Sequence, residues 1–209
     1  MDLVLPEKLS TAIDSADILV FEGFEMTGKS YLAKQVHEQW PSALYRPDWE
    51  GALSDKVVRR GNRFIPGLVV LDLLRSIREA HCQPPMIILD RWLAVSYVYR
   101  VLYGQASDCS NLEDMIESFK LAASPFNVVI VHKSHADKAD AQRMFSTSVK
   151  DSDHSDQYDR FSSFEDYWQK YNQFNSEYLK FYENKCPFHT YELSSYGNII
   201  LHEWGCREL

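Results

Sequence analysis

The chain has 209 residues, a net charge of −8, and 45% hydrophobic and 25% charged residues. That suits one compact domain over residues 1–209 and excludes a disordered chain or a collagen-like repeat. Its longest apolar runs, such as Ile18–Phe21 and Gly67–Leu71, are far shorter than the roughly 18 residues a bilayer span needs, so no membrane association is expected. Met1–Ala16 contains Asp2, Glu7, Lys8 and Asp14 and lacks the basic start and apolar centre of a signal peptide, which makes the cytoplasm the expected location. The acidic balance argues against the broad basic surface of a nucleic-acid binder but leaves room for a local patch. Cys82, Cys109, Cys186 and Cys206 form no Cys-x-x-Cys pair and are read as unpaired thiols. His132 and His135, the one close histidine pair, have no further ligand at metal spacing and are read as surface or loop residues. No metal site made only of protein ligands is predicted.

In chain order, Pro6–Asp14 has a capping-type start and predicts a short helix, followed by the apolar run Ala16–Gly23, read as a buried strand ended by glycine. Lys29–Trp40 carries Leu32, Val36 and Trp40 at four-residue spacing, a helix signal. Ala43–Arg46 predicts a weaker strand stopped by Pro47, and Leu68, Leu71, Leu74 and Ile77 share one face of a helix within Ile65–Cys82. Pro84–Asp90 reads as another buried strand, Leu93–Leu102 and Leu112–Ala123 as helices, and Asn127–Val131 as a fourth strand. The stretch Phe145–Ser163, rich in Ser and Asp and nearly empty of aliphatic residues, predicts a loop or mobile flap, a candidate lid over about residues 145–163. Phe164–Tyr182 predicts a long amphipathic helix, and Phe188–Leu193 a fifth strand. Strands alternating with helices imply a parallel sheet covered on both faces.

The strongest motif is Gly23-Phe-Glu-Met-Thr-Gly28-Lys29-Ser30, a full match to the phosphate-binding loop, placed between a predicted strand and a predicted helix as its mechanism requires. Backbone N–H groups of such a loop surround the phosphates of a nucleotide. Lys29 adds a point charge, Ser30 offers a hydroxyl to magnesium, and the glycines permit the tight turn. Asp90, at the end of a predicted strand, is a carboxylate able to orient magnesium-bound water or to take a proton from a hydroxyl. Arg91 supplies a planar charged fork suited to an acceptor phosphate. Phe64, Trp92 and Tyr99 could stack on an acceptor base or pack in the core. Arg59, Arg60 and Arg63 form the one dense basic segment, either a solvated loop or extra anion binding along a phosphate or a nucleic-acid strand.

Phe21-Glu-Gly23, Glu25 and Gly28-Lys29-Ser30 together resemble the opening of thymidylate kinases and the related deoxynucleoside kinases. Asp90-Arg91-Trp92, Ser96 and Tyr99-Arg100 are similar, without gaps, to the thymidylate-kinase pattern Asp-Arg-Tyr, three residues, Ser, two residues, Tyr-Gln, with Trp92 and Arg100 in place of the Tyr and Gln. Tyr45-Arg46-Pro47 resembles the family's Arg-Glu-Pro turn without its glutamate, and Asp159-Arg160-Phe161 resembles the Asp-Arg-Phe that closes the family's lid. The resemblance implies a three-layer α/β/α P-loop kinase fold with a five-stranded parallel sheet and a mobile lid. It implies ATP held by Gly23, Glu25, Met26, Thr27, Gly28, Lys29, Ser30 and Arg143, with Mg2+ at Ser30 and Asp90. Lys29, Asp90, Arg91 and Arg160 would then be catalytic, while Glu25 (on the sugar 3′-hydroxyl), Arg46, Phe64, Arg91, Trp92, Ser96, Tyr99 and Arg100 would bind the acceptor. The lid departs from the family in its acidity, with Asp151, Asp153, Asp156 and Asp159 against Lys150 and Arg160.

The function expected first is ATP-dependent phosphoryl transfer to dTMP or a related deoxynucleotide. A second reading keeps the fold and uses a hydroxyl acceptor, such as a deoxynucleoside or a 5-hydroxymethylpyrimidine in DNA, with Asp90 as base. A third is a nucleotide-binding module without turnover. A small-molecule nucleotide is the expected partner, DNA ranks behind it, and because family members are often dimers the resemblance leaves a homodimer open.

Overall fold

In the computed structural model the described residues are 5–46, 86–91, 98, 101–102, 123–149, 161–185, 188–194 and 199–200. Helix α1 (Glu7–Ser15) starts after Pro6, whose side chain offers no cap; the fixed φ of proline, here −60°, sets the start instead of the capping group expected there. Strand β1 (Ile18–Glu22) and helix α2 (Lys29–Gln39) follow, then β2 (Leu44–Arg46), β3 (Ile87–Asp90) and β4 (Val128–Ser134). Helices α3 (Lys138–Val149) and α4 (Phe164–Lys185) precede β5 (His189–Ser194) and β6 (Ile199–Ile200).

These strands form one sheet in the order β2-β3-β1-β4-β5-β6. The first five are parallel, as expected, and β6 adds an antiparallel edge that the sequence reading did not contain. All five residues of β1 are buried because both faces of the sheet are covered, which explains the unbroken apolar run. Alternation along the strand divides the core in two. Leu19 and Phe21 pack with Leu9 and Ile13 of α1 and with Leu32, Ala33 and Val36 of α2. On the other face Ile18 and Val20 meet Ala141 of α3 and the aromatic stripe Tyr167, Tyr171, Phe174 and Tyr178 of α4. The result is the three-layer α/β/α arrangement.

Two further features differ from the sequence reading. Phe145–Val149, expected to open the flap, belongs to α3, because Phe145 packs edge-on against Phe164 and lies 5.2 Å from the Tyr167 ring. Phe161, near the flap's other end, is buried against Phe24 and Tyr167. Residues 150–160, including Arg160, lie outside the described residues. The histidines, read as surface or loop residues, form the second difference: both are buried, His132 within β4 and His135 in the loop that follows it. His132 stacks on Tyr178 at 4.2 Å between ring centroids, and His135 sits 4.9 Å from the Tyr171 ring. Among the described residues no helix is long and apolar enough to cross a membrane.

Candidate active site

Strand β1 lies at the middle of the sheet, with β3 on one side and β4 on the other; the chain leaves β1 toward β2 and later crosses from β3 to β4 on the opposite side. In such sheets ligands bind at the carboxyl ends of the strands beside this switch point. Residues 23–28 run from the end of β1 to the start of α2 at that edge. Gly23 and Gly28 have φ of +141° and +81°, and Met26, without the freedom of glycine, holds +62°. Gly28 stands at the N-cap of α2 with no side-chain cap. The unpaired N–H groups of the first helical turn are thus left for an anion, as the phosphate-loop motif requires.

Lys29 is 3% exposed, and its Nζ donates to the Phe24 carbonyl at 3.1 Å. Burial lowers its pKa from 10.5 to about 7, assisted by Arg91, while Asp90, Glu25 and Glu22 pull the other way. These opposing influences identify the charged groups gathered around the ammonium. Thr27 is buried, and its hydroxyl donates to the Phe24 carbonyl at 2.9 Å, bracing the loop. Ser30, by contrast, is exposed at the start of α2.

Asp90 closes β3 and pairs in register with Phe21. It is 7% exposed, and its Oδ1 has no hydrogen-bond partner among the described residues. Arg91 follows with φ +73°, its backbone N–H tied to the Phe21 carbonyl at 2.9 Å. A left-handed arginine costs about 1–2 kcal/mol, and such strain collects at functional sites. Arg46 ends β2 opposite Leu89, one position from Asp90. Arg143, on α3, is tied to Asp140 at 2.6 Å with its side chain 55% exposed. Its neighbour Met144 overlies the loop, its Cε 3.9 Å from where a side chain at Gly28 would begin. Phe64, Trp92, Ser96, Tyr99 and Arg100 lie outside the described residues, as do the Arg59–Arg63 segment and all four cysteines.

Several residues at this edge escaped the sequence reading. Glu22, 1% exposed at the end of β1, accepts the Tyr178 and Tyr182 hydroxyls on Oε2 at 2.7 and 2.6 Å, distances typical of charge-assisted bonds. Lys133, at the end of β4, is buried, and burial lowers its pKa to about 8 against the pull of Asp140. His135 and Tyr167 form a further pair at 2.7 Å. One signal was present: a helical stripe of tyrosines must bury hydroxyls as well as rings, so polar partners had to exist. Glu22→Leu, which orphans two buried hydroxyls, is expected to lower stability by about 2–4 kcal/mol, against about 1 kcal/mol for Tyr182→Phe, in urea unfolding of the two variants.

Among the described residues no three His, Cys, Asp or Glu side chains gather into a metal site. Magnesium bound through nucleotide phosphates needs only one or two protein ligands, and the exposed Ser30 hydroxyl with the unpartnered Asp90 Oδ1 has the hard oxygen chemistry to supply them.

No protein-family model and no curated protein matches the chain. Among solved structures, it is similar to the YorR protein of Bacillus subtilis in complex with phosphorylated GDP, with 14% identity, 85% of each chain covered and a TM-score of 0.52. It also aligns with deoxyadenosine kinase from M. mycoides with bound dATP, at 14% identity over 85% of this chain and 90% of that one, TM-score 0.44. Thymidylate kinase from Ehrlichia chaffeensis aligns at 21% identity over 66% of this chain and 88% of that one, TM-score 0.36. The first likeness agrees with the strand order and the phosphate loop: the fold is that of the P-loop kinases.

Proposed function

We propose that the chain is an ATP-dependent nucleotide kinase of the thymidylate-kinase type, which moves the γ-phosphoryl group of ATP onto a deoxynucleoside monophosphate such as dTMP. The observation that supports this most is the gathering of Lys29, Asp90, Arg91 and Glu25 around one phosphate loop, from segments separated by more than sixty positions of sequence. In the transfer, the bond from the γ-phosphorus to the ADP oxygen breaks as an oxygen of the acceptor phosphate bonds to phosphorus. Little proton chemistry is needed, so positioning and charge carry the rate.

Lys29 meets the β- and γ-phosphates and offsets charge passing to the leaving ADP. Arg91 grips the acceptor phosphate as a two-pronged donor and keeps it in line. Glu25 faces the acceptor sugar, where a carboxylate accepts from the 3′-hydroxyl, and Arg143 borders the donor base. Ser30 and Asp90 would hold Mg2+, which would supply positive charge to offset that of the nucleotide phosphates. Arg160, in the Ser- and Asp-rich segment that the resemblance assigns to a lid, would cover the transferred group. Phe64, Trp92, Ser96, Tyr99, Arg100 and Arg46 complete the acceptor side of this reading.

A second reading has its own support. The buried, unpartnered Oδ1 of Asp90 could accept a proton, as transfer to a hydroxyl would require, whether on a nucleoside or on a hydroxymethylated base in DNA. A transfer screen with labelled ATP against free nucleosides, monophosphates and both unmodified and hydroxymethylated DNA separates the two. The expected result is label on a pyrimidine deoxynucleoside monophosphate, with Asp90→Asn lowering kcat by about 100-fold or more. Label on hydroxymethylated DNA and on no free monophosphate would overturn the first reading in favour of the second. Steady ATP binding with no transfer to any acceptor would leave a module without turnover.

A further inference from the structure

We infer that Tyr167 of α4 is a positioning residue of the phosphate loop: with its orientation set by His135, its hydroxyl turns the Glu25–Met26 peptide so that the Met26 N–H faces the donor phosphates. The inference deepens the kinase reading and rests on it for the identity of the donor. Tyr167 is fully buried, and its hydroxyl donates to the Glu25 carbonyl at 2.8 Å. A trans peptide is planar, with C=O and N–H on opposite sides. Pinning this carbonyl toward α4 therefore aims the next N–H the other way, toward the open side of the loop.

The neighbouring backbone shows why a pin is required. Met26 holds φ +62°, a conformation that a residue with a Cβ adopts only under constraint. Rotating the Glu25–Met26 peptide would relieve Met26 and turn the carbonyl oxygen toward the phosphates, replacing an attraction with a repulsion. The preceding peptide is held independently, since the Phe24 carbonyl accepts from Thr27 Oγ1 at 2.9 Å and Lys29 Nζ at 3.1 Å. Tyr167 thus acts on the next loop peptide, whose orientation those bonds leave unset.

His135 determines which way the phenol points. A tyrosine has one hydroxyl proton, and the Glu25 carbonyl, which has none, must receive it. The 2.7 Å contact between His135 Nε2 and the Tyr167 oxygen fixes where the phenol oxygen sits, and the tautomer with Nε2–H leaves the phenol proton for that carbonyl. Burial lowers the ring's pKa to about 4, while Asp140, whose Oδ2 lies 3.4 Å from Nδ1, pulls the other way. The backbone N–H of His135 donates to the Tyr171 hydroxyl at 2.9 Å, one helical turn along α4. Asp140 Oδ2 accepts the Ala136 N–H at 3.2 Å and steadies the turn in which His135 sits. The path from β4 to the loop is continuous: His135, Tyr167, Glu25 carbonyl.

Tyr167→Phe in the full chain tests this, because the ring and its packing remain while the donor is lost. ATP affinity by calorimetry is expected to fall about tenfold, with donor KM rising in step, acceptor KM within about twofold of wild type and the unfolding temperature within a few degrees. Unchanged ATP affinity would overturn the inference, as would donor and acceptor affinity falling together with the unfolding temperature, the mark of a purely structural role. If Tyr167→Phe is not recovered folded, His135→Gln, whose amide can still donate to the phenol, is compared with His135→Leu, which cannot. Weaker ATP binding by the Leu variant alone upholds the inference, and equal binding by the two overturns it. Wild-type protein that binds ATP but phosphorylates no acceptor would remove the kinase reading, while the affinity loss in Tyr167→Phe would still uphold the role of Tyr167.

Discussion

Replacing Lys29 by Met is expected to lower phosphoryl transfer by about three orders of magnitude while raising the unfolding temperature of the nucleotide-free protein at pH 6.5. Both effects come from one buried ammonium. With 3% exposure, Lys29 has lost most of its hydration, and the Phe24 carbonyl at 3.1 Å returns only part of it. Its pKa falls from 10.5 to about 7, so between those values the unfolded chain holds a proton that the folded one has released. Stability then rises with pH across that window. Below about pH 7 the lysine is protonated in both states, and the cost of burying its charge is present in full.

A methionine fills similar space without the charge, so its stability advantage should be largest below pH 7 and shrink as pH rises toward 10.5. Lys133, lowered to about 8, is present in both proteins and drops out of the difference. Nucleotide phosphates reverse the balance, because an anion beside Lys29 favours its charged form. Wild-type protein should therefore take up a proton on binding ATP above pH 7, measurable as a dependence of the binding heat on buffer ionisation enthalpy. The Met variant should lose that component. A variant less stable at pH 6.5 than at pH 9, relative to wild type, would count against the buried charge.

The two loop glycines are expected to respond to alanine very differently. A Cβ at Gly23 would run into the Lys133 carbonyl oxygen of β4 and lie 3.2 Å from Thr27 Oγ1, at a φ of +141°. Backbone meets backbone there, and neither strand can yield without parting β1 from β4 beside the Glu22–His132 register. Gly23→Ala should lose about 3–5 kcal/mol of stability together with nucleotide binding. At Gly28 the nearest atom outside the loop is Met144 Cε at 3.9 Å, an ordinary contact, so only the left-handed φ of +81° opposes alanine. Gly28→Ala should lose about 1–2 kcal/mol and fold normally. Urea midpoints of the two variants give the comparison, and similar losses would mean that φ, not space, governs both positions.

The phosphate loop was readable because its chemistry is local. Strand, two glycines, Lys29 and Ser30 occupy thirteen consecutive positions, Ile18–Ser30, and an apolar run feeding a glycine turn before a helical period has few other solutions. Asp90-Arg91 at the end of a second apolar run was legible for the same reason, as were the five parallel strands, since buried strands between helices leave little choice of class. Local pattern does not contain the strand order that puts β3 and β4 beside β1, which places Asp90 and Lys133 at the same edge as Lys29. The roles of Glu22 and His135 were beyond it too. Glu22 meets a tyrosine 160 positions away and His135 one 32 positions away, and nothing in either residue's neighbourhood names those partners. His132 and His135 are buried because the aromatic stripe of α4 closes over them. Phe145–Val149 joined α3 despite its polar composition because Phe145, partly buried, found Phe164 and Tyr167 to pack against, and the packing of one large ring outweighs the weak helix propensity of Ser and Thr. What the sequence determines by itself is the set of short-range geometries that hold a phosphate; which distant groups surround them is decided by packing.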